Sequence, residues 1–165
     1  LPIEIEGVSN ADFLRTAVSS KEGKDFKFFT NGLTGDYKFG LELIEYLGLP
    51  KSYLLDRPTT SRQLVEDISS FKTVFACRLH ACIISYSLNI PIVGLVWNIK
   101  QLLFGKITKT QKYFITKENF DSDYIVDTIE KAILNQKNNS KKLKKTTYKF
   151  FDNIFEEYKK TDKKN

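Results

Sequence analysis

Two stretches in the middle of the chain are apolar without alternation: residues 73–77 (TVFAC) and 91–97 (PIVGLVW). A strand with one wet face alternates apolar and polar positions. A short run without alternation predicts a strand covered on both faces. Pro91 opens the second run, where a missing N–H is tolerated. Residues 81–88 between the runs are apolar nearly all round, which predicts a buried helix that Asn89 stops.

The remaining elements follow from periodicity and punctuation. Ser9-Asn10-Ala11-Asp12 predicts a helix cap ahead of Phe13, Leu14, Ala17 and Val18. Residues 25–30 (DFKFFT) predict a short strand closed by Asn31-Gly32. A helix is expected from about Asp36, with Phe39, Leu43, Ile44 and Leu47 on one face and a stop at Gly48 before Pro50. Residues 53–55 suggest a very short strand. Thr59-Thr60-Ser61 should cap a helix bearing Leu64, Val65, Ile68 and Phe71. A short helix carries Ile99, Leu102, Leu103 and Phe104; residues 113–115 predict a last strand; residues 122–134 predict a helix with Ile125, Val126, Ile129 and Ile133 in a stripe.

Strands alternating with helices, the strands apolar on both sides, predict an α/β fold: a parallel sheet with helices on both faces. This unit is assigned to residues 1–136. Residues 137–145 (KNNSKKLKK) read as a Lys-rich linker, followed over about 143–159 by an amphipathic helix with Phe150, Phe151, Ile154, Phe155 and Tyr158 on one stripe. That stripe fits either packing on protein or a basic helix resting on a membrane surface.

Charge sharpens this division. The net charge is +6, but residues 137–165 hold ten Lys against four acidic groups, while residues 1–136 carry sixteen of each sign. The folded body is therefore neutral, which argues against a nucleic-acid interface. Cys77 and Cys82 sit inside apolar runs and read as reduced, buried thiols. No metal-ligand spacing is visible, and no apolar run approaches the roughly 18 residues that span a bilayer. A chain that begins at Leu1 and contains no Met reads as a truncated or processed fragment.

In open parallel sheets, ligands bind beyond the carboxyl ends of the strands. Arg78-Leu79-His80 follows the first apolar strand, and His80, the single histidine, opens the next helix. Trp97, Asn98 and Lys100 follow the second strand. If the strands are neighbours, Arg78, His80, Asn98 and Lys100 converge on one crevice, and Asn31-Gly32 could open on the same edge. Such a crevice suits an anion: Arg offers a planar fork, Lys a point charge, and His a proton near neutral pH. Each residue also has a structural reading. Arg78 could pair with a carboxylate, Trp97 could pack, and residues 31–36 (NGLTGD), which could cradle a phosphate but match neither the Rossmann fingerprint nor the P-loop, could be plain turn chemistry. Glu66 and Asp67 read as solvated surface charges.

Residues 75–81 (FACRLHA), 89–94 (NIPIVG) and 97–100 (WNIK) together resemble the C-terminal half of polysaccharide pyruvyl transferases. The likeness is clearest over residues 65–105. It implies a Rossmann-like sheet forming the donor-side half of a GT-B-type two-domain transferase, with the other half on a missing N-terminal segment and the fragment inactive alone. It implies pyruvyl transfer from phosphoenolpyruvate to a sugar of a surface or capsular polysaccharide, on a glycan or lipid-linked acceptor, as a ketal. No cofactor is implied; phosphoenolpyruvate is the donor substrate. Carried over, Arg78 and His80 match the donor-site Arg and His, Leu79 lies between them and contributes through its backbone, and Lys100 matches a frequent Lys. Trp97-Asn98-Ile99 departs from the family's usual residues before that Lys. The expected location is cytoplasmic, with peripheral contact at the inner face of the membrane through the tail. Two other readings remain: a sugar-nucleotide glycosyltransferase donor domain, for which Glu118 and Asp121 are loose ribose candidates, and a non-catalytic membrane-associated binding domain.

Overall fold

The computed structural model describes residues 26–162, with side chains as far as residue 154. The helix expected after Asn10 lies outside the described residues. Six α-helices are described: α1 Thr34–Tyr46, α2 Ser61–Ser69, α3 Leu79–Ser87, α4 Ile99–Thr108, α5 Ser122–Asn135 and α6 Ser140–Asp162. The strands are β1 Val74–Ala76, β2 Ile92–Leu95 and β3 Phe114–Ile115. They form one parallel sheet in the order β1-β2-β3, with Val74 opposite Ile92 and Gly94 opposite Phe114.

The absence of alternation has the expected cause. Ile92 and Phe114 point to one side and pack with Cys82 and Tyr86 of α3 and Phe104 of α4. Val93 and Ile115 point to the other side and pack with Ile125 and Ala132 of α5. Consecutive parallel strands joined by right-handed crossovers put both crossover helices on one face. That leaves the opposite face for α5, and each strand residue is covered whichever way it points.

Helix boundaries largely follow local chemistry. Thr60 and Gln63 form a reciprocal capping box at the start of α2. α1 ends before Gly48, whose φ of +66° suits a residue without a Cβ. The expected strand at residues 25–30 and that at 53–55 reduce to a single parallel bridge, Phe28 with Leu54. Phe28 N–H donates to Tyr53 O and Leu55 N–H to Phe28 O, and among the described residues no ladder extends beyond them.

Four helix faces depart from the pattern. On α1, Leu43 and Ile44 are buried with Gly40, but Phe39 is exposed. On α3, expected to be buried all round, Ala81, Cys82, Ser85 and Tyr86 are covered while Ile83 and Leu88 reach solvent. On α5, Ile125 is buried but Ile133 is exposed. On α4 the pattern is inverted: Gln101, Gly105 and Thr108 face inward, and Ile99, Leu103 and Ile107 face out, Ile99 being 63% exposed.

The segment after α5 is more tightly held than a polar linker. The Gln136 side chain accepts from Ile92 N–H at 2.8 Å and donates to Ile92 O at 2.7 Å, adding a strand-like pair to β2. Asn138 Nδ2 donates to Tyr86 O at 2.6 Å, and Asn139 N–H donates to the Tyr86 hydroxyl at 2.8 Å. That hydroxyl also bonds the Asn139 side chain. α6 then begins at Ser140, inside the segment expected to be a linker, and Leu143 packs on the α3–α4 side of the core.

Candidate functional site

The carboxyl edge of the sheet is stitched at one carbonyl. Trp97 Nε1 donates to Cys77 O at 2.7 Å and Gln101 Nε2 donates to the same oxygen at 2.6 Å. A carbonyl has two lone pairs, so both bonds can be made together. They fasten the loop after β1 to the loop after β2. Gln101 is fully buried, and its Oε1 accepts from Asn98 N–H as half of a capping box at the start of α4. The other half is Asn98 Oδ1, which accepts from Lys100 N–H at 2.8 Å.

The two helices that open on this edge differ. α4 is capped on both sides of its box. α3 starts after Arg78 with no side-chain cap and no acidic residue in its first turn. Its first bond from within the helix is Cys82 N–H to Arg78 O, so the amides of Leu79, His80 and Ala81 have no intrahelical acceptor. Free amides and the positive end of the helix dipole favour an anion there. His80 stands in this turn, exposed, and no described residue hydrogen-bonds to its ring.

Arg78 is held by a residue the sequence did not single out. Its Nε donates to Asp36 Oδ2 at 3.1 Å and its Nη2 to Asp36 Oδ1 at 2.5 Å, a fork-to-fork pair across 42 positions. Asp36 raises the guanidinium's already high pKa, and the side chains remain partly exposed, at 42% and 26%. The pair fixes the plane of the fork and leaves the other N–H donors of Arg78 available. Asp36 lies in the first turn of α1, so the same bond brings the Asn31–Gly32 loop to this edge. Gly32 has φ +91°, a Cβ on it would meet Pro58 O at 2.9 Å, and its carbonyl accepts from Arg57 Nη1 at 3.0 Å.

Several expected ligand residues therefore have structural duties. Asn98 is a helix cap. Trp97 spends its N–H on Cys77 O while about half of its surface stays exposed. Asp121 caps α5 through Asp123 and Tyr124 N–H. Arg78, Leu79, His80, Trp97 and Asn98 do gather on the one edge. Among the described residues, no hydrogen bond or ion pair joins Asn31 or Lys100 to Arg78 or His80. The residues missed were Asp36, Arg57 and Gln101. A first-turn Asp after a Gly-rich loop was a visible signal for Asp36, and Asn98 three residues before Gln101 was the spacing of a capping box; nothing local marked Arg57.

A family model for polysaccharide pyruvyl transferase matches residues 9–99, more than half of the chain. The chain belongs to the polysaccharide pyruvyl transferase family. No curated protein and no solved structure matches it significantly. The matched segment of this pyruvyl transferase family member includes the α1 loop, Arg78, Leu79, His80, Trp97 and Asn98, and stops one residue short of Lys100. Family membership makes the edge described above part of a transferase. Among its described residues there is no metal-binding cluster of His, Cys, Asp or Glu, and no helix long and apolar enough to cross a membrane.

The two thiols of this family member differ, against the expectation that both are buried. Cys77 is exposed at the site; Cys82 is buried under the sheet with its Sγ 3.8 Å from Ala76 O. Burial pushes the Cys82 thiol up to about 12 from its ordinary 9.0. Because the folded pKa is raised, the stabilisation is fully present below about pH 9 and is lost as pH rises toward 12. Iodoacetamide is expected to label Cys77 in the native protein and Cys82 only on unfolding. Cys82→Ala should remove part of the decline in unfolding free energy above pH 9; an identical slope in the variant would refute the assignment.

Proposed function

We propose that this chain carries the donor side of a pyruvyl transferase that moves pyruvate from phosphoenolpyruvate onto a surface or capsular glycan as a ketal. The observation that carries the reading is the uncapped first turn of α3, flanked by Arg78 and His80 within the segment that matches the family. Phosphoenolpyruvate has a phosphate and a carboxylate. The free amides of α3 suit one of them, and the fork of Arg78, pre-set by Asp36, suits the other. Lys100 adds a mobile positive charge at the start of α4.

The reaction needs a proton at the methylene carbon of the donor. That protonation makes the neighbouring carbon electrophilic; one sugar hydroxyl adds to it, a second displaces phosphate, and the ketal results. One hydroxyl proton replaces the proton delivered to the methylene and the other leaves with phosphate. His80, exposed and with no hydrogen bond to its ring among the described residues, is assigned these proton transfers. We further read the three-stranded unit as one wall of a GT-B-like cleft, with a glycan or lipid-linked sugar as acceptor.

Thermal unfolding with phosphoenolpyruvate, inorganic phosphate and a panel of nucleotide sugars tests the donor. At a ligand concentration of 100 times Kd, binding adds about 2.7 kcal/mol, or about 5–10 °C for a chain of this size. Phosphoenolpyruvate should give the largest rise, and Arg78→Lys, which keeps the charge but loses the fork, should remove most of it. A rise with nucleotide sugars and none with phosphoenolpyruvate would mark a glycosyltransferase donor site instead.

A further inference from the structure

We infer that α6 is a peripheral membrane anchor that lies on an anionic lipid surface, independently of the donor chemistry. Leu143, at its base, packs on the core. Beyond it the apolar stripe is uncovered: Phe150 is 60% exposed, and Phe151 and Ile154 are exposed beside it. The spacing 143, 147, 150, 151, 154 follows one helical face. The opposite face holds Lys141, Lys145, Lys149 and Asp152, all exposed, with Lys142 next to them. Lys144 borders the apolar face, its ammonium 5.7 Å from the centre of the Tyr148 ring.

Charge selects the occupant. Residues 137–154 hold six lysines against one acidic group, Asp152, while residues 1–136 are balanced. Five of the chain's six excess positive charges lie on the segment bearing the uncovered stripe. An anionic bilayer takes both features at once: the aromatic stripe enters the headgroup boundary, Lys144 at its border meets phosphates directly, and the lysines of the polar face reach back toward them on their long stems. α6 is too polar to cross the membrane, so it lies in the interface. Pinning of residues 136–139 to β2 and Tyr86 ties the orientation of α6 to that of the sheet.

The test is flotation of the 165-residue chain with vesicles of phosphatidylcholine alone or with 30% phosphatidylserine (roughly the anionic share that creates a cytoplasmic surface potential). Binding is expected to the anionic vesicles only and to fall steeply as salt shortens the screening length. Lys144, Lys145 and Lys149 changed together to Gln should weaken it about 100-fold, at roughly five-fold per lysine. Phe150→Asp with Phe151→Asp should weaken it by at least about 100-fold. Both sets are exposed, so thermal unfolding should stay unchanged and confirms that the fold is intact. Absence of binding to anionic vesicles, or binding indifferent to both sets, overturns the inference. So does a stable dimer in solution that the Phe changes dissolve, since the stripe would then be a protein interface.

Discussion

Changing His80 to Ala in the full-length enzyme is expected to lower pyruvyl transfer by about 10²–10⁴-fold, the usual worth of a positioned acid or base, while leaving thermal unfolding where it is. The two halves of that expectation have separate causes. His80 is exposed in the first turn of α3 and no described residue hydrogen-bonds to it, so its loss leaves no cavity and no orphaned partner. Ala is also the better helix former. The catalytic half follows from place: the imidazole stands beside the amides and the Arg78 fork assigned to the donor's anions. Donor binding should fall much less than turnover, because Arg78 and the α3 amides survive. Wild-type rates in the variant would remove His80 from the mechanism. Loss of phosphoenolpyruvate binding with proportionate loss of rate would make it a binding group instead.

Gly94→Ala is expected to destabilise the fold by about 3 kcal/mol or more, at the upper end of what overpacking costs, lowering Tm by about 6–12 °C. The usual sign for this change in a strand is the reverse, since Ala loses less backbone entropy. Contact decides. A Cβ on Gly94 would lie 2.3 Å from Cε1 of the buried Phe114 ring. The ring cannot retreat, because a Cβ at Gly105 on α4 would itself be 2.9 Å from its Cδ2. Phe114 thus fills the gap between β2 and α4 that two glycines leave open. Since α4 is fastened to Cys77 O through Gln101, displacement of Phe114 should also disturb the loop beside Arg78. Adding Phe114→Leu should recover part of the loss, a coupling that a double-mutant cycle measures. An unchanged Tm in Gly94→Ala would show that the ring has room to move.

The outcome for individual residues shows what was legible. Residues 73–77 and 91–97 announced a two-sided sheet because a strand covered on both faces has no polar positions to alternate. The start of α2 at Thr60-Ser61 was legible because a cap is a contact between residues three apart. The strand expected at residues 25–30 is not formed as a ladder: its DFKFFT composition favours a strand, yet pairing needs a neighbour, and among the described residues only Phe28 finds one, at Leu54. Ile99, Leu103 and Ile107 read as ordinary helix apolars, but α4 turns them outward because Gln101 has a carbonyl to reach and Gly105 must make room for Phe114. Cys77 looked buried because its neighbours are apolar; it falls where the strand has already ended.

The sequence by itself determined the α/β class, the parallel sheet covered on both sides, the family, and the position of Arg78-Leu79-His80 at a strand end opening a helix. It also determined the segregation of charge onto the tail. The class, the sheet and the charge segregation are properties of local periodicity and composition and survive any arrangement of the elements; the family rests on a resemblance carried by residues 75–81, 89–94 and 97–100. Only the tertiary structure decided that Asp36 holds Arg78, that Gln101 and Trp97 brace Cys77 O, and that residues 136–139 dock onto β2 and Tyr86. Each of those contacts joins residues that are distant in the chain or depends on which way a helix face turns. The crossovers that bring them together are fixed by the burial of apolar area, and the polar partners are those that this packing places within reach. That is why Arg78 could be named from the sequence as a fork for an anion, while the carboxylate that aims it could not.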